Sequence, residues 1–121
     1  MTRTTWKKKI KECMEKAGTY RDCFEPVMDT LADILEKRDN TQELYEKSGA
    51  NPVVKHTNKG GATNIEKNPL LVVVNDLNRD ALAYWKELGL TPSGLKKINE
   101  EGLKKKNVGF GEMLNDLMKD G

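Results

Sequence analysis

The chain has 121 residues and a net charge of +2, and 33% of its residues are charged, 36% hydrophobic and 6% aromatic. Its length accommodates one small domain rather than two ordinary ones. No run of about 18 apolar residues is present, and lysines follow Trp6, so we expect neither a transmembrane helix nor a secretory signal.

The cysteines and the histidine argue against a metal centre. Cys13 and Cys23 lie in a Lys/Glu-rich chain without a signal, which indicates free thiols in a reducing cytoplasm. His56 is the single histidine, and no Cys-x-x-Cys or His-x-x-x-His spacing occurs. We therefore expect no metal and no cofactor.

Charge is unevenly distributed along the chain. Residues 1–21, which we call the basic head, contain seven basic and two acidic groups, for a net charge of +5. Residues 22–50 contain three basic and eight acidic groups, for a net charge of −5. A basic head of this kind predicts either a polyanionic partner or an acidic surface elsewhere in an assembly.

The first predicted helix runs from about Thr5 to Ala17. Its apolar positions recur at intervals of three and four residues, and lysines and glutamates cover the other faces. Thr4 or Thr5 can cap its start, and Gly18 can end it. The pattern predicts an amphipathic helix with a basic outer face.

The second predicted helix runs from about Tyr20 to Lys47. A heptad seam with polar interruptions in its second half is formed by Phe24, Met28, Leu31, Leu35, Arg38, Gln42 and Tyr45. Pro26 either lies in the first turn or kinks the helix, because proline lacks the N–H group and its ring crowds the preceding turn. Arg38 and Gln42 either set the register of the seam or lie at a solvent-exposed end.

The third predicted helix runs from Pro69 to Leu88, with Asn68 as its N-cap and Gly89 as its stop. Before it, residues 50–66 have no helical period and are rich in turn-forming residues, which predicts a long connection. The helix carries a second heptad seam of Leu70, Val74, Leu77, Ala81, Tyr84 and Leu88, and a flanking stripe of Leu71, Leu82 and Trp85. It is therefore more apolar than one partner helix requires.

The end of the chain has two further patterns. Thr91 and Pro92 repeat the cap-plus-proline signature and open a short helix. A lysine-rich linker then leads to a last amphipathic pattern formed by Phe110, Met113, Leu114, Leu117 and Met118.

These patterns predict an all-α fold with an N-terminal amphipathic helix, a long antiparallel helical hairpin and short C-terminal helices. The expected division is a basic N-terminal helix over 1–19, a hairpin oligomerisation domain over 20–99, and a linker and tail over 100–121. The surplus apolar stripe must be covered by the first helix or by neighbouring subunits, and we expect both. We therefore expect a homo-oligomer with a central channel, whose interface contains Leu71, Val74, Leu77, Leu82 and Trp85.

Four blocks of the chain carry a family resemblance: YRDCFEP (20–26), VKHTNKGGATN (54–64), KNPLL (67–71) and YWKELGLTPS (84–93). In this order they resemble the small subunit of phage terminase, in a branch found in tailed phages and prophages. The resemblance covers roughly residues 5–99. The string LGLTP (88–92) is its most specific part.

The resemblance implies a ring-forming protein that binds the packaging-initiation site on viral double-stranded DNA in the cytoplasm of the infected bacterial host. It also implies that the chain recruits and regulates the terminase large subunit, which carries the ATPase motor and the nuclease. No catalysis is implied, and the sequence agrees, since it has neither a phosphate-binding loop nor an acidic metal cluster on a strand. The chain departs from many small terminases in lacking an obvious helix-turn-helix head.

The candidate DNA contacts in the basic head are Arg3, Lys7, Lys8, Lys9 and Lys11. Lysine neutralises phosphate without recognising bases, and a solvated helix face is the alternative explanation of the same run. Lys55, His56 and Lys59 are secondary candidates for phosphate binding, although tight turns alone also explain the glycines beside them.

Two functions stay open at this point. One is DNA-site recognition within a packaging machine, and the other is a helical oligomeric adaptor whose basic head binds an acidic protein partner. Salt-dependent binding to DNA separates the two. We expect no enzyme, because nothing in the sequence resembles a nucleophile with its base.

Overall fold

The computed structural model describes residues 1–101. The elements are α1 (Arg3–Ala17), a short 3₁₀ helix (Asp22–Phe24), α2 (Glu25–Lys47), β1 (Val53–Thr57), β2 (Thr63–Lys67) and α3 (Pro69–Glu87). Residues 92–101 belong to a further helix, α4. The predicted linker and the amphipathic pattern of the tail lie outside the described residues.

Helix α1 begins two residues before its predicted start because Thr2, rather than Thr4 or Thr5, is the N-cap. The Thr2 hydroxyl accepts a hydrogen bond from the backbone N–H of Thr5 at 3.3 Å. The end of α1 is as predicted, since Gly18 adopts a left-handed conformation with φ +74°.

Helix α2 lies between α1 and α3 and packs against both of them. Pro26 occupies its first turn, so the proline starts the helix and does not kink it. The predicted helix from Tyr20 is therefore shorter than expected, and the 3₁₀ helix precedes it. Helices α1 and α2 are antiparallel, since the Arg3 N–H contacts Glu36 whereas Lys7, one turn later in α1, contacts Glu25 at the start of α2. Helices α2 and α3 pack against each other, as the predicted helical hairpin requires.

The core lies on the faces that the periodicity selected. Eight buried residues form one cluster: Ile10, Met14, Met28, Leu31, Ala32, Leu35, Ala81 and Leu88. Arg38, in the polar part of the α2 seam, is half-buried and donates a hydrogen bond to Asn78 of α3 at 3.3 Å. Arg38 therefore links the two helices, whereas Gln42 donates to Glu46 within α2.

The predicted all-α fold is corrected by a β-hairpin between α2 and α3. Strands β1 and β2 pair antiparallel, with Lys55 opposite Ile65, where the sequence indicated an irregular connection. The turn is closed by Asn58, whose side-chain oxygen accepts from the backbone N–H groups of Gly60 and Ala62, each at 3.0 Å.

The base of the β-hairpin is fixed to α3 by a single residue. Asn68 donates through its side chain to the Asn51 carbonyl at 2.9 Å and through its backbone to the Pro52 carbonyl at 2.9 Å. Its side-chain oxygen accepts from Leu70 N–H at 3.0 Å, so Asn68 is also the predicted N-cap. The hairpin and the start of α3 therefore form one joined unit.

The block LGLTP forms the corner between α3 and α4. Gly89 has φ +73°, and a Cβ there would lie 2.6 Å from Ile98 Cδ1. The Thr91 hydroxyl caps α4 by accepting from Gly94 N–H at 3.1 Å, which confirms the predicted cap. A Cβ at Gly94 would collide with the carbonyl oxygen of Lys86. The most family-specific string thus specifies backbone packing rather than chemistry.

Candidate nucleic-acid interface

Helix α1 positions the candidate DNA contacts, and Lys7 is the most engaged of them. Its ammonium lies 2.9 Å from Glu25 Oε2 and 2.9 Å from Asp29 Oδ1, both on α2. Hydrogen bonds to Asp29 and then to Glu25 raise the pKa of Lys7. The Tyr20 hydroxyl and then Lys7 hold the pKa of Glu25 below its usual range. Lys7 is thus directed toward the body of the protein.

The other lysines of the run form no ion pair with α2 among the described residues. Lys9 Nζ lies 5.8 Å from the centroid of the Trp6 ring, and Lys11 Nζ lies 5.0 Å from that of Tyr20. Both distances are in the range of cation–π contact, and both side chains remain exposed. Lys8 is exposed and forms no ion pair with any described residue.

Arg3 lies at the first turn of α1, where its backbone N–H donates to Glu36 Oε2 at 2.6 Å. Its residue position is exposed. The first turn of α1 is therefore attached to α2 through the backbone, and the guanidinium group is placed on the surface.

A polar cluster around Asp39 joins the start of α1 to the middle of α2. The Asp39 carboxylate accepts from the Trp6 indole N–H at 2.7 Å and pairs with the Met1 amino group at 3.1 Å. Arg38 pairs with the same carboxylate at 2.9 Å and lies 5.4 Å from the Trp6 ring centroid. Burial acts to raise the pKa of Asp39, but Trp6, Arg38 and the amino terminus outweigh it and hold the pKa below its usual range.

The basic head and the acidic segment 22–50 are in contact through ion pairs between α1 and α2. The acidic surface that the basic head predicted is supplied in part by α2 of the same chain. Sequence reasoning listed Lys7 with Lys8, Lys9 and Lys11 as equals, because the pairing across α1 and α2 depends on tertiary packing. The structure separates Lys7 from the other three.

The secondary candidates lie on the β-hairpin. Lys55 and His56 are exposed residues of β1, and Lys59 is exposed in the turn. Lys67, at the end of β2, is exposed as well and lies two positions from Ile65, the residue opposite Lys55. Sequence reasoning missed Lys67.

The five candidate interface residues differ in exposure. Val74 is 4% exposed and packs inside the protomer, and Leu71, Leu77 and Trp85 are half-buried. Leu82, by contrast, is 60% exposed. An open groove of about 420 Å³ lies beside it, lined by Cys13, Leu82, Trp85, Leu90 and Thr91. Helix α1 therefore covers the flanking stripe of α3 only in part.

Two kinds of feature are absent from residues 1–101. No group of three or more histidine, cysteine or acidic residues is placed to hold a metal ion in this part of the chain. No helix within the same range is long and apolar enough to cross a membrane.

Comparison with known proteins identifies the family. No curated protein and no solved structure matches the chain significantly. A family model described as phage terminase, small subunit, matches residues 2–105, which is most of the chain. The match spans α1, α2, the β-hairpin and α3 together, so the same residues that build the fold carry the family pattern. The chain belongs to the phage terminase small subunit family, whose role lies in the packaging of phage DNA.

Proposed function

We propose that the chain is the non-catalytic small subunit of a phage terminase, binds the packaging-initiation site on viral double-stranded DNA, and recruits and regulates the large ATPase–nuclease subunit. This activity takes place in the cytoplasm of the infected bacterial host. The observation that carries the proposal is the family match over residues 2–105.

The assembled form in this proposal is a ring of identical subunits. The exposed Leu82 and the apolar groove beside it support this part, because they leave apolar surface that residues 1–101 of one protomer do not cover. In the ring, a neighbouring subunit covers Leu82. A ring also multiplies the few charges of each chain, so that individually weak DNA contacts act together.

DNA contact by α1 depends in this proposal on the lysines that α2 leaves accessible. These are Lys8, Lys9 and Lys11, together with Arg3 at the first turn. Lys7 contributes less, because two carboxylates within 2.9 Å already neutralise it. The α1 lysines supply affinity through counterion release and carry no base specificity.

The test is a titration of double-stranded DNA at several salt concentrations, with the triple variant Lys8→Ala/Lys9→Ala/Lys11→Ala. The plot of log affinity against log salt has a negative slope, and its magnitude is expected to decrease by about 0.9 for each lysine that contacts a phosphate.

A matched control removes the same charge elsewhere. The variant Lys37→Ala/Lys47→Ala/Lys96→Ala replaces three exposed lysines on α2 and α4 and should keep the slope of the unmodified chain. An equal loss in both variants would show that net charge alone governs binding. Absence of DNA binding by the unmodified chain would favour the alternative, an oligomeric adaptor with an acidic protein partner.

A further inference from the structure

The β-hairpin is well ordered by hydrogen bonds yet contributes almost nothing to the core. Nine of its ten strand residues are exposed, and Val54 alone is half-buried. Two apolar side chains, Ile65 at 68% and Val53 at 50% exposure, face solvent. A two-stranded hairpin without a buried face is marginally stable in water, so a bound partner would supply the contacts that residues 1–101 do not.

The strand register divides the hairpin into two chemically different faces. Successive cross-strand pairs lie on alternate faces of the ladder. One face, which we call the lysine face, carries Val53, Lys55, Thr57, Thr63, Ile65 and Lys67. The opposite face carries Glu66, His56, Asn64 and the half-buried Val54. The only carboxylate of the hairpin is thus separated from both strand lysines.

The lysines of the hairpin are free to meet an anion. Among residues 1–101, Lys55, Lys59 and Lys67 form no ion pair, whereas Lys7, Lys37 and Lys47 each pair with a carboxylate within 2.9 Å. With Glu66 as the only acidic residue, the segment 51–68 has a net charge of +2. The hairpin is therefore a basic projection on a chain whose neighbouring helix, α2, is acidic.

The dimensions of the hairpin fit a DNA groove. Paired strands lie about 4.8 Å apart, and five residues span about 17 Å. The major groove of B-DNA is about 12 Å wide and 8.5 Å deep, and it admits a two-stranded β-ribbon. Lysine donates to guanine O6 and N7, and the methyl groups of threonine and isoleucine can contact the thymine methyl group.

We infer that the β-hairpin inserts into the DNA major groove with its lysine face toward the base edges. Lys55 and Lys67 contact guanine, Ile65 packs against thymine methyl groups, and Lys59 in the turn contacts the phosphate backbone. Glu66 faces away from the DNA. The inference rests on the proposed DNA-binding function and adds to it the source of sequence preference, which the α1 lysines cannot supply.

The experiment selects bound sequences from a randomised double-stranded DNA library with the full chain and with Lys55→Ala/Lys67→Ala. The unmodified chain is expected to enrich guanine- and thymine-containing sites. The variant is expected to lose on the order of tenfold discrimination between enriched and random DNA, because a good base contact contributes about that much or more.

Two control variants isolate the lysine face. Lys96→Ala/Lys97→Ala removes the same charge from α4, and Asn64→Ala alters the opposite face of the hairpin without touching a candidate DNA contact. Both should keep the sequence preference of the unmodified chain. Equal loss in all three variants would contradict a base-contacting lysine face.

Methylation protection on the unmodified chain tests the same contact without a substitution, in case the hairpin variant misfolds. Bound protein should protect guanine N7, which lies in the major groove, from methylation by dimethyl sulfate. DNA binding without guanine protection, or with a preference that the hairpin variant retains, would overturn this inference and leave the proposed function standing. Absence of any DNA binding by the unmodified chain would overturn both.

Discussion

Substitution of Leu82 tests assembly without disturbing folding, because Leu82 is the most exposed of the five candidate interface residues. Full burial of a leucine side chain stabilises by about 1.5–3 kcal/mol. With 60% of the residue exposed in the protomer, covering it in an assembly contributes about 1–2 kcal/mol per subunit. Replacing it with aspartate reverses this gain and adds the cost of burying an unpaired charge, which is several kcal/mol.

The assay for Leu82→Asp is native mass spectrometry together with thermal unfolding. We expect the unmodified chain to be oligomeric at micromolar concentration and the variant to be monomeric. The variant monomer should retain its helical circular dichroism, because Leu82 contributes little to the protomer core.

Leu31→Ala serves as the control for folding. Leu31 is fully buried, so Leu31→Ala should lower the free energy of unfolding of the protomer by about 2–5 kcal/mol. A Leu82→Asp variant that keeps the mass of the unmodified assembly would refute the assignment of this face to the interface. An unmodified chain that is monomeric would refute the assembly itself.

Two further predictions concern the protomer. Gly94→Ala should lower the free energy of unfolding by about 1–3 kcal/mol, because the added methyl group collides with the Lys86 carbonyl. Chemical denaturation measures the loss, with Gly60→Ala as the control, since a Cβ at Gly60 would lie 3.4 Å from the nearest atom, Asn58 Oδ1. The folded protein lowers the pKa of Glu25 and of Asp39, so both carboxylates stabilise the fold. This contribution is fully present above the usual carboxyl pKa of about 4. It is lost as the pH falls through the lower pKa values of the folded state. The thermal midpoint should therefore fall as the pH is lowered below about 4, and a chain carrying Glu25→Gln and Asp39→Asn that shows the same fall would contradict this.

The helices were predictable because their signals are local. Apolar residues at spacings of three and four defined both seams, and Asn68 and Thr91 each cap a helix as their positions before proline indicated. Pro26 was left with two alternatives, and the structure selects the first-turn position.

The β-hairpin was missed because its strands bury almost nothing. A strand is recognised in sequence by alternation of apolar and polar residues, which arises only when one face is buried. Here Val53 and Ile65 are exposed, and so are the polar residues of both strands, so the sequence carries no such alternation. The β-branched pair Val53–Val54 and the turn glycines were the remaining signals.

The candidate site was predictable in residue type but not in arrangement. The excess of lysine in the basic head is visible in composition, yet the capture of Lys7 by Glu25 and Asp29 depends on how α1 lies against α2. In the same way, the common face of Lys55 and Lys67 follows from a strand register that only the folded chain defines.

Binding of double-stranded DNA by the unmodified chain, titrated over a range of salt concentrations, tests the central claim most directly. The account predicts binding at low salt, with log affinity falling linearly as log salt rises, because lysines of α1 and the β-hairpin release counterions from phosphate. An affinity that does not change with salt, or no binding at low salt by the assembled chain, would contradict it.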